Sequence, residues 1–174
     1  TLNPIAFLNA GGSLSEGNLR FDGVSSSAHN LGVGTIAVNK GKWWFEAEID
    51  AYGGNNPSIG IASYDVNLTL SNYVGGITGT IGYTGNGNIN ENGSNLATGL
   101  NSYTEGDIIN IGLDLDNNKI YVYKNGSLEN SGGTTITNRL YTFAVSQNHT
   151  TGHWLTNFGN PTFTGTDQAD GNSR

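Results

Sequence analysis

The alternation of apolar and polar positions is most regular between Glu105 and Gly126. Two runs in this stretch repeat with period two, which is the pattern of half-buried β-strands. The polar residues 116–119 between them include an Asn-Asn pair, and asparagine tolerates the positive φ angles that a short hairpin turn requires. The pattern therefore predicts a β-hairpin at the centre of the fold. Its inward-facing residues are Ile109, Ile111, Leu113 and Leu115 in the first run and Ile120 and Val122 in the second.

The same period predicts further strands along the chain. In the longest, residues 42–52, Phe45 and Ile49 share one parity with Trp43, so we expect Trp43 in the core. Trp44 has the other parity and is expected on the opposite face, together with the acidic residues of the strand. Shorter strands are predicted at residues 18–21, 31–38, 59–64, 75–83, 140–147 and 153–158.

Three segments do not follow a clear strand pattern. Residues 65–76 lose the period and are predicted to form a long loop. Residues 85–93 are rich in glycine and asparagine and are predicted to form a turn-rich hairpin tip. Residues 1–9 are a short apolar lead-in that we expect to pair as an edge strand.

Short strands at regular spacing predict an all-β fold, a two-sheet antiparallel β-sandwich. The chain has 174 residues, which is long enough to bury one core without metal or disulfide support. We find no internal repeat and no second domain, so the sequence predicts a single domain over residues 1–174. The predicted core comprises Trp43, Phe45, Ile49, Ile61, Ile111, Leu113, Leu115, Ile120, Val122, Phe143, Val145 and Phe158.

Several blocks of the sequence resemble the SPRY domain family. They begin with GKWWFEAEI at residues 41–49 and continue with the LDLD and KIYVYKNG runs of the hairpin. Together they follow the family's order across residues 17–163. The resemblance implies a SPRY or concanavalin-like jelly-roll sandwich, and a recognition module without catalytic apparatus. The remaining blocks are residues 58–62, 81–83, 140–146 and 157–159.

Composition and charge exclude several functions. The chain has 7 Lys and Arg against 14 Asp and Glu, a net charge of −7, so it offers no basic stripe for nucleic acid or anionic membranes. No apolar run approaches the roughly 20 residues of a membrane span. The chain has no cysteine, which excludes disulfides, thiol catalysis and cysteine-ligated zinc.

The candidate metal and catalytic residues do not complete a site. Asp114, Asp116 and Asn117 superficially resemble a calcium loop, but Lys119 and Gly126 occupy places where an EF-hand needs glycine and a bidentate acid. The three histidines lack a cysteine or nearby carboxylate for zinc, and no serine elbow accompanies them. We therefore expect no metal, no cofactor and no catalytic residue.

One alternative is a glycoside hydrolase. Glu46 and Glu48 share a strand face, as paired glycosidase carboxylates can, and Trp44 has the same parity. The resemblance to the SPRY strand, in which the first of these glutamates is structural, favours the other interpretation. The non-enzymatic prediction therefore stands ahead of the hydrolase.

The resemblance also implies a ligand-binding edge formed by the loops 52–57, 64–73 and 147–154. We expect these loops to converge on one end of the sandwich, with their aromatic rings at least partly exposed. Aromatic anchors among adaptable polar residues are typical of such contact surfaces. The candidate ligand-binding residues are Tyr52, Asn55, Asn56, Tyr64, Tyr73, His149 and Trp154.

The low charge and abundant Asn, Gly and Thr resemble SPRY-like domains of bacteriophage tail and fibre proteins. We therefore expect a virion component, structural or receptor-binding, whose partners are other virion proteins or a host-surface protein or glycan. The polar tail at 164–174 suggests continuation into a longer protein, and oligomers through a parent fibre are compatible with this. The alternative is a carbohydrate-binding, lectin-like domain at a bacterial cell surface.

Overall fold

The computed structural model describes residues 1–6, 12–24, 27–54, 56–69 and 71–159. Over these residues the chain forms fourteen β-strands, and every pairing between them is antiparallel. No helix in this part of the chain is long and apolar enough to cross a membrane. The strands divide between two sheets that form a β-sandwich.

The larger sheet has eight strands in the order β1-β2-β14-β4-β9-β10-β11, with β12 also paired to β10. The predicted hairpin, β9 and β10, lies inside this sheet, and Asn118 adopts the positive φ of 54° that its turn requires. The strands are β1 (Ser13–Ser15), β2 (Arg20–Asp22), β4 (Lys42–Ala51), β9 (Ile108–Asp114), β10 (Lys119–Lys124), β11 (Ser127–Leu128), β12 (Thr134–Thr135) and β14 (His153–Asn157).

The smaller sheet has six strands in the order β3-β13-β5-β6-β7-β8. The segment 85–93, predicted as a turn-rich hairpin tip, forms turns at 85–87 and 92–93. The prediction is wrong for residues 88–91 between them, which form β7 and pair with β6 and β8. The strands are β3 (Asn30–Val33), β5 (Ser58–Ser63), β6 (Thr80–Thr84), β7 (Asn88–Glu91), β8 (Ser94–Ala97) and β13 (Tyr141–Gln147).

The main core lies between the two sheets. Phe45 of the larger sheet stacks on Phe143 of the smaller one, with ring centroids 4.8 Å apart. Phe158 contacts Phe45 at 5.0 Å and is only partly buried. Burial of such side chains supplies the main stabilisation of a sandwich. The other predicted core residues are buried as expected, apart from Trp43: Ile49, Ile61, Ile111, Leu113, Leu115, Ile120, Val122 and Val145.

A second apolar cluster lies on the outer face of the smaller sheet. The segment between β5 and β6 crosses that face and places Val74 and Ile77 against Ala62 and Ala144. Gly82 permits this contact, because a Cβ there would stand 2.0 Å from the carbonyl oxygen of Val74. The smaller sheet is therefore covered on both faces, which explains why all six residues of β5 are buried.

Trp43 corrects the sequence-based core. Its side chain is 43% exposed, although Phe45 and Ile49 of the same parity are fully buried. The register of the strand is therefore right. Trp43 is the second residue of β4 and pairs with Leu113, the last residue but one of β9, so it lies at the end of the sheet. Trp44 lies on the other face, as predicted, and its ring packs 5.0 Å from that of Tyr123.

Candidate functional site

The loops that follow β4 and β13 meet at one end of the sandwich, which we call the loop end (residues 22–24, 27–29, 52–54, 56–57, 71–74 and 147–153). Gln147 is fully buried there and donates from Nε2 to the carbonyl oxygen of Tyr52 at 3.1 Å. Gly53 has φ 59°, and a Cβ at this position would lie 2.5 Å from the nitrogen of Gly152. Glycine is therefore required for the two loops to touch.

His149 adds a side-chain contact between these two loops. Its ring lies over Gly54, where an added Cβ would be 2.7 Å from Cδ2 of the imidazole. Its Nδ1 is 2.9 Å from the hydroxyl of Thr151. The backbone nitrogen of Gly23 donates to the carbonyl oxygen of Gly152 at 2.9 Å, which joins the segment after β2 to the same end.

A row of buried aromatic rings supports the loop end from below. Tyr103 lies between Tyr83 and Trp154, with ring centroids 5.1 Å and 6.0 Å away. The Tyr103 hydroxyl is 2.7 Å from the carbonyl oxygen of Pro57, within the loop after β4. Burial raises the pKa of Tyr103 well above its usual range, so the hydroxyl stays neutral. The loops therefore rest on a rigid layer.

The segment around Tyr73 forms the third side of the loop end. The nitrogen of Val74 donates to the hydroxyl of Ser146 at 3.0 Å, near the end of β13. Tyr73 lies 5.6 Å from the ring of His29 and accepts a hydrogen bond from Asn90 at 3.0 Å. Burial lowers the pKa of His29, which favours the neutral imidazole.

Four of the predicted ligand-binding residues lie together at the loop end. Asn56 is exposed, and Tyr52, Tyr73 and His149 are partly exposed. Asn55 lies outside the described residues. Ligand contact by these residues stays a prediction.

The expected exposure is wrong for Trp154. The side chain is fully buried and its Nε1 donates to the carbonyl oxygen of Ser146 at 3.0 Å. Trp154 belongs to β14 and pairs with Phe21, so its ring enters the space between the sheets. Its place is beneath the loop end, where it supports the loops.

The expected convergence is wrong for Tyr64. Loop 52–57 precedes β5 and Tyr64 follows it, so the two lie at opposite ends of that strand. The nitrogen of Tyr64 donates to the carbonyl oxygen of Leu140, which stands before the start of β13. The segment 64–73 thus begins at the far end and reaches the loop end only near Tyr73.

Glu46 and Glu48, the acidic pair of the hydrolase alternative, do not have the geometry of a catalytic pair. Glu46 is 3% exposed, and its carboxylate accepts hydrogen bonds from Asn110 at 2.9 Å and Asn157 at 3.1 Å. Partial burial, followed by the charges of Asp50 and Glu46, raises the pKa of Glu48. Because one carboxylate is enclosed by amides, the two cannot flank a substrate in an open cleft.

The acidic turn after β9 uses its carboxylates internally. Asp114 accepts from the side-chain amide of Asn117 at 2.9 Å and forms an ion pair with Lys42 at 3.4 Å. Asp116 accepts from the nitrogen of Gly41 at 2.9 Å. Among the described residues no group of three or more His, Cys, Asp or Glu is arranged to hold a metal ion.

Charge limits what the loop end can bind. Within the described chain, the two cations on this half of the molecule are engaged: Arg20 with Asp22 and Asp50, each at 2.9 Å, and Lys124 with Asp107 at 3.1 Å. The available groups are amides, imidazoles and phenols. Such a surface suits an uncharged or cationic ligand better than an anionic one.

Two residues of this site were missed by the sequence analysis. Gln147 lies at the start of the predicted loop 147–154, yet its sequence context does not predict that it connects the loops. His29 stacks near Tyr73, but the two are far apart in sequence and no local pattern connects them. Their partners become visible only when the sheet topology brings the loops together.

The comparisons agree with this architecture. The profile of the SPRY domain family matches residues 42–153, which is more than half of the chain. The chain belongs to the SPRY domain family. SPRY domains are generally non-catalytic modules of protein interaction or recognition, and this domain has the β-sandwich of that family.

Solved structures show the same fold at low sequence identity. The SPRY domain of human HERC1 is 17% identical with a TM-score of 0.77, covering 93% of this chain and 100% of that one. A second human SPRY domain is also 17% identical, with a TM-score of 0.70, covering 88% of this chain and 100% of that one. No curated protein sequence matches the chain.

Proposed function

We propose that this SPRY domain is a non-enzymatic recognition module that binds its partner at the loop end. The observation that carries the proposal is the contact of glycine-packed loops over the layer formed by Tyr83, Tyr103 and Trp154. Loops that are fixed before binding lose little conformational entropy when a ligand arrives. Tyr52 and His149 stand at the surface of this arrangement and are its candidate anchors.

We further propose that the module works in a bacteriophage virion and binds a protein or glycan of the host surface. The sequence composition supports this: only 12% of the residues are charged, and 27 of 174 are glycine. The amide-rich loop end, without a free cation among its described residues, favours an uncharged ligand. A neutral glycan or a polar peptide segment has the required hydrogen-bonding groups.

The test is binding of the labelled domain to a panel of intact bacterial strains and to a glycan array. We expect saturable binding to at least one strain, with Tyr52→Ala/His149→Ala weakened at least about tenfold, as expected for aromatic anchors. Leu96→Ala is the control, because Leu96 is 39% exposed on β8, outside the loop end, and should leave binding unchanged.

Each result decides a separate point. Equal loss with Leu96→Ala would show that the loss of binding is not specific to the loop end. Absence of binding to every strain and glycan would overturn the host-surface role. Circular dichroism of each variant must match that of the unmodified domain, so that a loss of binding reports the surface rather than the fold.

A further inference from the structure

Exposed apolar side chains collect at the end opposite the loop end. Among the nine large hydrophobic residues that are exposed in the described chain, four lie there: Ile36 (68%), Trp43 (43%), Tyr64 (73%) and Leu140 (40%). We call this surface the opposite rim and define it as residues 34–43, 64–65, 114–116 and 136–140. Exposed apolar groups that cluster in this way mark interaction sites more often than isolated ones do.

Two chain segments that cross between the sheets form the opposite rim. One connects β3 to β4 and carries Ile36, and the other connects β12 to β13 and carries Leu140. Val38 and Tyr141 join them through reciprocal backbone hydrogen bonds of 2.7 and 2.9 Å. The two segments therefore lie side by side, at the end of the sandwich that also carries Trp43 and Tyr64.

Hydrogen bonds fix the backbone of the rim and the indole of Trp43. The backbone nitrogen of Tyr64 donates to the carbonyl oxygen of Leu140 at 2.8 Å. The indole nitrogen of Trp43 donates to the carbonyl oxygen of Lys40 at 2.7 Å. The Tyr141 hydroxyl donates to the carbonyl oxygen of Thr137 at 2.7 Å. The rim is thus formed in advance, which lowers the entropic cost of docking a partner.

The charges of the rim favour a second copy of the domain as its partner. The chain has a net charge of −7, which disfavours contact between most parts of two copies. On the rim, however, the cations balance the carboxylates. Within one copy Lys42 already pairs with Asp114 at 3.4 Å, and Asp116 accepts from the nitrogen of Gly41 at 2.9 Å. The rim is therefore close to neutral, so a second copy meets less repulsion at this face than elsewhere on the chain. The cations are Lys40, Lys42 and Arg139, and the carboxylates are Asp65, Asp114 and Asp116.

We propose that the opposite rim is the face through which two copies of this domain associate about a two-fold axis. The apolar side chains of the two rims pack together, and the near-neutral charge around them opposes the contact only weakly. The loop ends then point away from each other. The association itself does not depend on ligand binding at the loop end, so the two proposals fail independently.

The test is the molar mass of the domain by sedimentation, from about 1 to about 300 μM, the range expected for an interface of modest area. We expect the dimer fraction to rise with concentration and Leu140→Ser to weaken association at least about tenfold. Leu128→Ser is the matched control, because Leu128 is 44% exposed on β11, away from the rim. It should leave association unchanged.

A second variant tests the charge argument. Reversal of the three rim cations, Lys40→Glu/Lys42→Glu/Arg139→Glu, should abolish the dimer because like charges then face each other. A domain that stays monomeric at the highest concentration overturns the proposal. So does a dimer that survives both rim variants or that Leu128→Ser dissociates.

Discussion

Position along a strand decides whether an inward-facing tryptophan is buried. Trp43 and Trp154 both point toward the space between the sheets. Trp43 lies at the start of β4, paired with Leu113, at the end of its sheet. Trp154 lies further inside, among Phe21, Tyr103 and Ser146. Only the second side chain is enclosed by both sheets. Alternation reports the face that a residue occupies, not how far the opposite sheet extends over it.

The two tryptophans should therefore differ in their effect on stability. Trp154→Ala removes a fully buried ring and its hydrogen bond, and should lower the free energy of unfolding by about 3–5 kcal/mol. Trp43→Ala should cost less than about 1.5 kcal/mol, because nearly half of that side chain is already in water. Urea unfolding at low protein concentration measures both. Equal losses in the free energy of unfolding for the two variants would show that Trp43 is buried in solution.

Asp114 should make stability depend on pH in the acid range. The side-chain amide of Asn117 is the largest contribution that holds the pKa of Asp114 below its usual value, and Lys42 adds to it. The native state then binds this proton less tightly than the unfolded state does, so the contribution is present above the ordinary aspartate pKa. It is lost as the pH falls through the lower, native pKa.

Asp114→Asn tests this assignment. The variant should be less stable than the unmodified domain near neutral pH, and the difference between their free energies of unfolding should shrink as the solution is acidified. Urea unfolding at several pH values measures it. A difference that stays constant with pH would show that the ionised carboxylate does not stabilise the turn.

At the scale of the elements, the strands follow from alternation and the turns from their residue types. The strand bounds of β4, β5, β9, β10, β13 and β14 agree with the predicted segments to within one or two residues. The covering segment contains Val74, in the predicted loop 65–76, and Ile77, in the predicted strand 75–83. The prediction is wrong for Ile77, because β6 begins only at Thr80. The partners of the covering segment are on strands that are distant in sequence, so no local signal identifies them.

The candidate site was predictable where its residues lie next to predicted strands. Tyr52, Asn56 and His149 flank strand ends that the sequence locates correctly, and these ends share one side of the sandwich. The position of Tyr64 was predicted wrongly, because a residue after β5 cannot lie beside the loop that precedes this strand. The stacking of Tyr73 near His29 depends on the path of a long loop, which the residue pattern does not determine.

Gly53 should control the contact between the two main loops of the loop end. Gly53→Ala adds a Cβ 2.5 Å from the nitrogen of Gly152 in a backbone with φ 59°, so the loops must separate. Gly93→Ala is the control, because its φ is 78° but nothing lies within 4 Å of the added carbon. Both variants carry the backbone strain of about 1 kcal/mol or more.

Hydrogen exchange of the Gly152 amide distinguishes the two glycine variants. We expect faster exchange and weaker loop-end binding only in Gly53→Ala, since only that substitution pushes against the neighbouring loop. Equal exchange rates in both variants would mean that the loops do not depend on this contact.

At the scale of the whole molecule, the sandwich separates its two exposed surfaces. The seven residues of β13 run from the opposite rim to the loop end, which corresponds to roughly 20 Å at the rise of a β-strand. Between them lie the two sheets and their shared core, with Phe45 stacked on Phe143. A rigid body of this kind can present one surface to a second copy and another to a ligand.

The two surfaces should be energetically independent. In a double-mutant cycle that combines Tyr52→Ala with Leu140→Ser, the changes in the free energy of unfolding should add to within about 0.5 kcal/mol, because residues that share no partner and lie this far apart rarely couple. The cycle is measured by urea unfolding below the concentration at which copies associate. Leu140→Ser alone should also leave the affinity of each loop end for its ligand unchanged. A coupling energy above about 1 kcal/mol would show instead that the connecting strands respond as a two-state element and transmit a change from one end to the other.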